Sequence, residues 1–170
     1  MPHRRKIVVV GHRFVPIDKY AFIKLIRYYY KGPNNIRLHF DRRLNCWGEH
    51  WYSSRTKTHH IRISPKWCQY NYVGNSNRDF DNKTYNVGIG KLNDYDTVCR
   101  ILQVTLHEIK HALQTDSNPI GHAKNPRDKH HRITNARLKY EFSLSEAEAE
   151  GWSLMHINKA IERYERWCEQ

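Results

Sequence analysis

The chain reads as an α+β fold: an N-terminal helix, a small, mostly antiparallel sheet, and two long helices after it. Three observations carry that reading. Apolar residues recur at helical spacing from Val98 to Leu113, apolar and polar residues alternate through Thr58 to Ser64, and turn-forming residues cluster at 32–35 and between Tyr70 and Lys91. With 170 residues, 39% of them hydrophobic, the chain is long enough to bury a core. It carries no repeat and no low-complexity linker, so one domain over 1–170 is expected.

Taken in order, Ile7 to Val10 is a β-branched run suited to a short strand or a buried N-terminal arm. Asp18 is placed to cap a helix running to about Tyr30, with Tyr20, Ile23, Ile26 and Arg27 spaced along a face. Gly32-Pro33-Asn34-Asn35 stops it. Ile36 to Asp41, Cys46 to Arg55 and Thr58 to Ser64 read as strands. In the last, His60, Arg62 and Ser64 alternate with Ile61 and Ile63, and Pro65 ends the run. His59 reads as ordinary strand content, and Trp47, Trp51 and Trp67 read as core. From Tyr70 to Lys91 a long loop is expected, with a short strand at Asn86 to Gly90.

The clearest element is a helix over Thr97 to Thr115, capped by Asp96, whose stripe is Val98, Ile101, Leu102, Leu106, Ile109, Ala112 and Leu113. Asp116 to Pro119 terminate it, and Gly121 to Ala136 is basic and loop-like. A final helix is expected from Leu144 to Trp167, with Ser143 or Ser145 as its cap.

Charge and cysteine usage narrow the function classes. A net charge of +12 raises nucleic acid as a partner, beside an anionic membrane, an acidic protein or a merely solvated surface. The positive residues are spread along the chain, and neither an Arg-rich recognition helix nor an aromatic RNA-binding signature is present. Cys46, Cys68, Cys99 and Cys168 form no CxxC pair, which disfavours a zinc ribbon. The basic N-terminal segment lacks a signal-peptide core, and no stretch approaches the length of a membrane span. Free thiols, a cytoplasmic location and no membrane partner are expected.

His107-Glu108-Ile109-Lys110-His111 matches HExxH inside the periodic helix. Residues four apart share a helix face, so both imidazoles can address one metal ion. Zinc in such a site polarises a bound water, and Glu108, beside the metal, is the general base. A third ligand is required. The run from Ser145 to Trp152 supplies Glu146 and Glu150 on one face, with Glu148 about 160° away at about 100° per residue. Glu146 has two readings: a ligand, or the acidic partner of a Ser143-x-x-Glu146 capping box.

HExxH on one helix followed by Glu146-x-x-Ala149-Glu150 on the next resembles the gluzincin metallopeptidases. Within those segments the chain is similar to small members related to the ImmA/IrrE metallopeptidases and to the CAAX-protease group. The resemblance covers Val98 to Ala112 and Ser145 to Leu154. It implies a minimal zincin fold that cleaves a protein or peptide substrate, with His107, His111 and Glu146 on zinc and Glu150 bonding a ligand imidazole. It also implies that an edge strand beside the active helix receives an extended peptide, for which Thr58 to Ser64 is the candidate. A rival resemblance, to SprT-like proteases acting on nucleic-acid-associated proteins, gives the third ligand to His122 in Gly121-His122 and suits the basic charge. A third possibility is a basic nucleic-acid- or protein-binding domain whose metal site is structural or vestigial. Tyr140, His130 and His131 are candidates for stabilising an oxyanion.

Overall fold

A computed structural model describes residues 4–72, 88–118 and 136–170, with side chains described over 4–70, 91–118 and 144–170. The order of elements is β1 (Ile7–Val10), a 3-10 turn (His12–Phe14), α1 (Lys19–Tyr29), β2 (Asn35–Phe40), β3 (Gly48–Ser53), β4 (Thr58–Ile63), α2 (Pro65–Gln69), β5 (Tyr70–Tyr72), β6 (Gly88–Lys91), α3 (Asp94–Ser117) and α4 (Ala136–Cys168). The fold is α+β, as expected.

The main sheet is mixed, which corrects the mostly antiparallel expectation. Its order is β1-β2-β4-β3, with β1 parallel to β2, β2 parallel to β4, and only β3 antiparallel to β4. The physical reason lies in the connections. A helix between β1 and β2 carries the chain back to the same end, so those strands run parallel. A tight turn joins β3 to β4, so they form a hairpin. That hairpin puts β4 inside the sheet and β3 on the edge, overturning Thr58 to Ser64 as the edge strand. A separate pair, β5 with β6, is antiparallel.

One face of the sheet is apolar: Val9, Ile36, Leu38, Phe40, Ile61 and Ile63 are buried there with α1 and α3. Asp18 caps α1 by accepting from the Ala21 amide at 2.8 Å. The buried side of α1 is Ala21, Phe22, Leu25, Ile26 and Tyr29; of the expected face Ile26 is buried and Ile23 packs against the core, whereas Arg27 is exposed and Tyr20 is 80% exposed. Pro65 ends β4 and also opens α2, where its missing N–H costs nothing. The Ser64 side chain caps that short helix through the Trp67 amide at 3.2 Å.

The predicted stripe on α3 is the buried one: Ile101, Leu102, Leu106, Ile109 and Ala112 are fully enclosed, and Val98 and Leu113 pack against them. The helix starts three residues earlier than expected, because Asn93 and not Asp96 is the cap; its side chain accepts from the Asp96 amide at 2.7 Å. Asp94 and Asp96 then sit in the first turn, where the helix dipole favours negative charge. α4 begins at Ala136, well before the expected Leu144, and crosses both α1 and α3. Trp47 packs on the core and Trp67 meets it edge-on at 5.5 Å, but Trp51 lies outside the core on the opposite face of the sheet. No helix of the described residues is long and apolar enough to cross a membrane, and all four cysteines are free.

Candidate metal centre

The site forms where α4 crosses α3. His107 and His111, one helical turn apart, bring their Nε2 atoms to 3.1 Å of each other. Glu146 reaches across from α4 with one carboxylate oxygen 3.0 Å from His107 Nε2 and the other 2.9 Å from His111 Nε2. These three residues form a group able to hold a metal ion. Because α4 starts ten residues before Glu146, neither Ser143 nor Ser145 is a helix cap, and the capping-box reading of Glu146 fails.

Each imidazole is oriented from behind. His107 donates from Nδ1 to Glu150 at 3.1 Å, and His111 donates from Nδ1 to Gln114 Oε1 at 2.8 Å. The Gln114 amide cannot be turned around. Its nitrogen donates to the Ser145 carbonyl at 3.0 Å and to Glu148 at 2.7 Å, neither of which can donate in return, while its oxygen also accepts from the Ser145 hydroxyl at 2.8 Å. His111 is thereby held with its Nδ1 proton on Gln114 and its Nε2 turned toward Glu146. Such partners are how a protein fixes ligand geometry and raises ligand basicity. Glu148, expected on the far side of α4, still reaches α3 and pairs with Lys110 at 3.3 Å.

Electrostatics follow this packing. Burial disfavours a charged His107, but the hydrogen bond to Glu146 and the fields of Glu108, Glu146 and Glu150 outweigh it, pushing its pKa up to about 9. Burial acts to raise Glu146, and hydrogen bonds from both imidazoles reverse that, holding its carboxyl well below the usual carboxylate range. Without metal, His107 and Glu146 therefore form an imidazolium–carboxylate pair.

Glu108 is only 5% exposed and stands beside the metal group rather than in it. Gly48 explains how β3 lies so close. A Cβ at Gly48 would come to 2.8 Å from Val104 Cγ1 and 2.9 Å from Glu108 Oε1, so only a residue without a side chain lets the edge strand close over the glutamate.

A second polar group adjoins the site and was not anticipated. On the inward face of β3 the ring of His50 stacks over His111 with centroids 6.4 Å apart, and its Nε2 lies 2.9 Å from His59 Nδ1. His59 is fully buried, so it is more than ordinary strand content. Its Nε2 donates to Asp116 at 2.7 Å, and Asp116 also accepts from Tyr30 and Asn34, each at 2.7 Å. This track joins the metal group to the end of α1. Gln114, seven residues after His107 on the same helix face, carries a sequence signal for such a role in its spacing alone. His122, His130 and His131 lie outside the described residues, as does the side chain of Tyr140. Comparison of the chain with protein-family models, curated proteins and solved structures finds no match.

Proposed function

We propose that the chain is a zinc-dependent metallopeptidase of gluzincin type. The observation that carries this reading is the convergence of two imidazole nitrogens and one carboxylate at about 3 Å, with both imidazoles held from behind by hydrogen bonds. The donor set fits zinc. Ligand bonds of about 2.0–2.1 Å in a tetrahedron put neighbouring donors about 3.3 Å apart, close to the 2.9–3.1 Å spacing of these three groups. Zinc held by His107, His111 and Glu146 supplies a Lewis acid that brings a water's pKa toward neutrality.

The chain's own residues account for the remaining roles. Glu108 accepts the water's proton and hands it to the departing amine. Its burial under Gly48 keeps the carboxylate poor in competing solvent contacts. Among the described strands β3 lies at the edge of the sheet, where its backbone groups would meet an extended peptide alongside α3, in place of β4. Engagement of Glu146 by both imidazoles favours it over His122 as third ligand.

The test is metal content by elemental mass spectrometry together with cleavage of a peptide library. Wild type should carry about one zinc per chain and cleave. Glu146→Ala should lose the zinc, His122→Ala should keep it, and Glu108→Gln should keep the zinc while losing hydrolysis. Zinc loss confined to His122→Ala would transfer the third ligand to the SprT-like arrangement. A fully active Glu108→Gln would remove the proposed general base. No zinc after reconstitution would leave a basic binding domain in place of an enzyme.

A further inference from the structure

The face of the sheet turned away from α1 and α3 has a chemistry unlike the metal centre. Registers across the strands place Arg37, His60 and Trp51 in one row from β2 through β4 to β3. The Trp51 indole lies flat on the His60 imidazole, with centroids 5.0 Å apart and an 8° angle between planes. The neighbouring row has His39, Arg62 and Glu49, and there Arg62 pairs with Glu49 at 2.6 Å and Asp41 at 2.7 Å. Arg37 is exposed and, among the described residues, makes no ion pair. Exposed Arg55 and Lys57 lie in the turn leading into β4, and exposed Lys6 lies just before β1. No described helix covers this face.

We propose that this face binds single-stranded nucleic acid, with Trp51 and His60 as the stacking platform and Arg37, Lys57 and Arg55 meeting the phosphates. Several observations select that occupant. A tryptophan is costly to leave outside a core, yet Trp51 is outside it while the polar His50 takes the inward position on the same strand. Burial together with the fields of Arg37 and His59 lowers the His60 pKa, so this imidazole is neutral at pH 7 and presents a ring rather than a second charge. The charge comes from the rim and from a molecule whose net charge is +12, complementary to a polyanion. Among the described residues no helix or ribbon lies on this face to enter a duplex groove, and stacking requires unpaired bases. With strands about 4.8 Å apart, the row from Arg37 to Trp51 matches a site of about two or three nucleotides. The inference is independent of the metallopeptidase reading: neither row contains a residue of the metal centre.

The experiment is fluorescence anisotropy at low salt with end-labelled oligouridine and oligodeoxythymidine of about twelve nucleotides and a duplex of the same length. Wild type should bind both single strands more tightly than the duplex. The two single-stranded probes then show which sugar is preferred. Trp51→Ala and Arg37→Ala should each weaken binding by about tenfold or more, and Arg37→Ala should also flatten the salt dependence by about 0.7 in the log–log slope. Trp51→Phe should retain most of the affinity. Lys159→Ala, removing an exposed cation on α4 that pairs with Glu162, should leave binding unchanged. Circular-dichroism melts check that each variant folds, and Arg37→Ala carries the test should Trp51→Ala not fold. Wild-type affinity in both Trp51→Ala and Arg37→Ala, equal affinity for the duplex, or equal competition by polyglutamate or anionic vesicles would overturn the proposal.

Discussion

Asp116 accepts from three side chains at once: His59 and Asn34 on one oxygen, Tyr30 on the other. Burial alone would raise its pKa, but these donors hold the carboxyl below its usual range. The sign of the linkage follows. A depressed carboxyl contributes stability that is present above the unfolded value of about 3.9 and is lost as pH falls through the lower, folded value. Asp116→Asn replaces one accepting oxygen with a donating amide that must face a donor. The variant should therefore lose about 2–3 kcal/mol at pH 7 by urea unfolding of the metal-free protein. The gap between wild type and variant should narrow below about pH 4, where the wild-type carboxyl takes up its proton. A constant gap across that range would show that the ionised form of Asp116 contributes nothing.

At the scale of elements, the seam between α3 and α4 depends on Gln114, which spends both amide hydrogens and its oxygen across the two helices. Gln114→Ala should leave the helix content unchanged but weaken zinc by about 10–100-fold, because His111 is no longer held in one tautomer. Competition with a chromophoric chelator measures this, and an affinity within about twofold of wild type would assign Gln114 to packing alone. The same seam shows how much was legible beforehand. The four-residue spacing of His107 and His111 states its consequence directly, since both lie on one continuous helix. The stripe from Val98 to Leu113 likewise named its own buried face. Glu146 could be read only as one of two alternatives, because a cap and a ligand call for the same residue until the start of α4 is known. The position of β4 was not readable at all: alternation tells which face of a strand is buried, not which strand lies beside it. Trp51 and His50 invert the hydrophobic rule, since the interior behind β3 is polar and its outward face carries the indole. Pairings such as His59 with Asp116, 57 residues apart, exist only once the sheet and α3 are assembled.

For the molecule as a whole, α4 is fastened to the rest in two ways. Near its C-terminal half Ala160 and Tyr164 are buried in the core, with Ile157 and Ile161 packed against them; nearer its start the fastening is the His–Glu cluster. Zinc bound only by the folded state adds RT ln(1 + [Zn]/Kd), about 4 kcal/mol at a thousandfold excess over Kd. For a chain of this size that corresponds to a melting temperature about 8–16 °C higher than in the chelated protein. The increment must depend on pH. In the metal-free protein the His107 pKa is raised to about 9, so its pairing with Glu146 stabilises the fold fully below the unfolded value of about 6.5 and fades as pH rises through 9. Under the proposed function, zinc would take the position of that proton and expel it on binding. At pH 7 the metal therefore replaces an interaction already present, whereas at pH 9 much of that interaction has gone and the metal adds more. Calorimetric scans of zinc-loaded and chelated protein should show a wider separation at pH 9 than at pH 7, and zinc titrations in two buffers of different ionisation enthalpy should report about one proton released per zinc at pH 7–8. Equal separation at both pH values, with no proton released, would mean that His107 enters the site already deprotonated and that the pairing with Glu146 does not hold the two helices together.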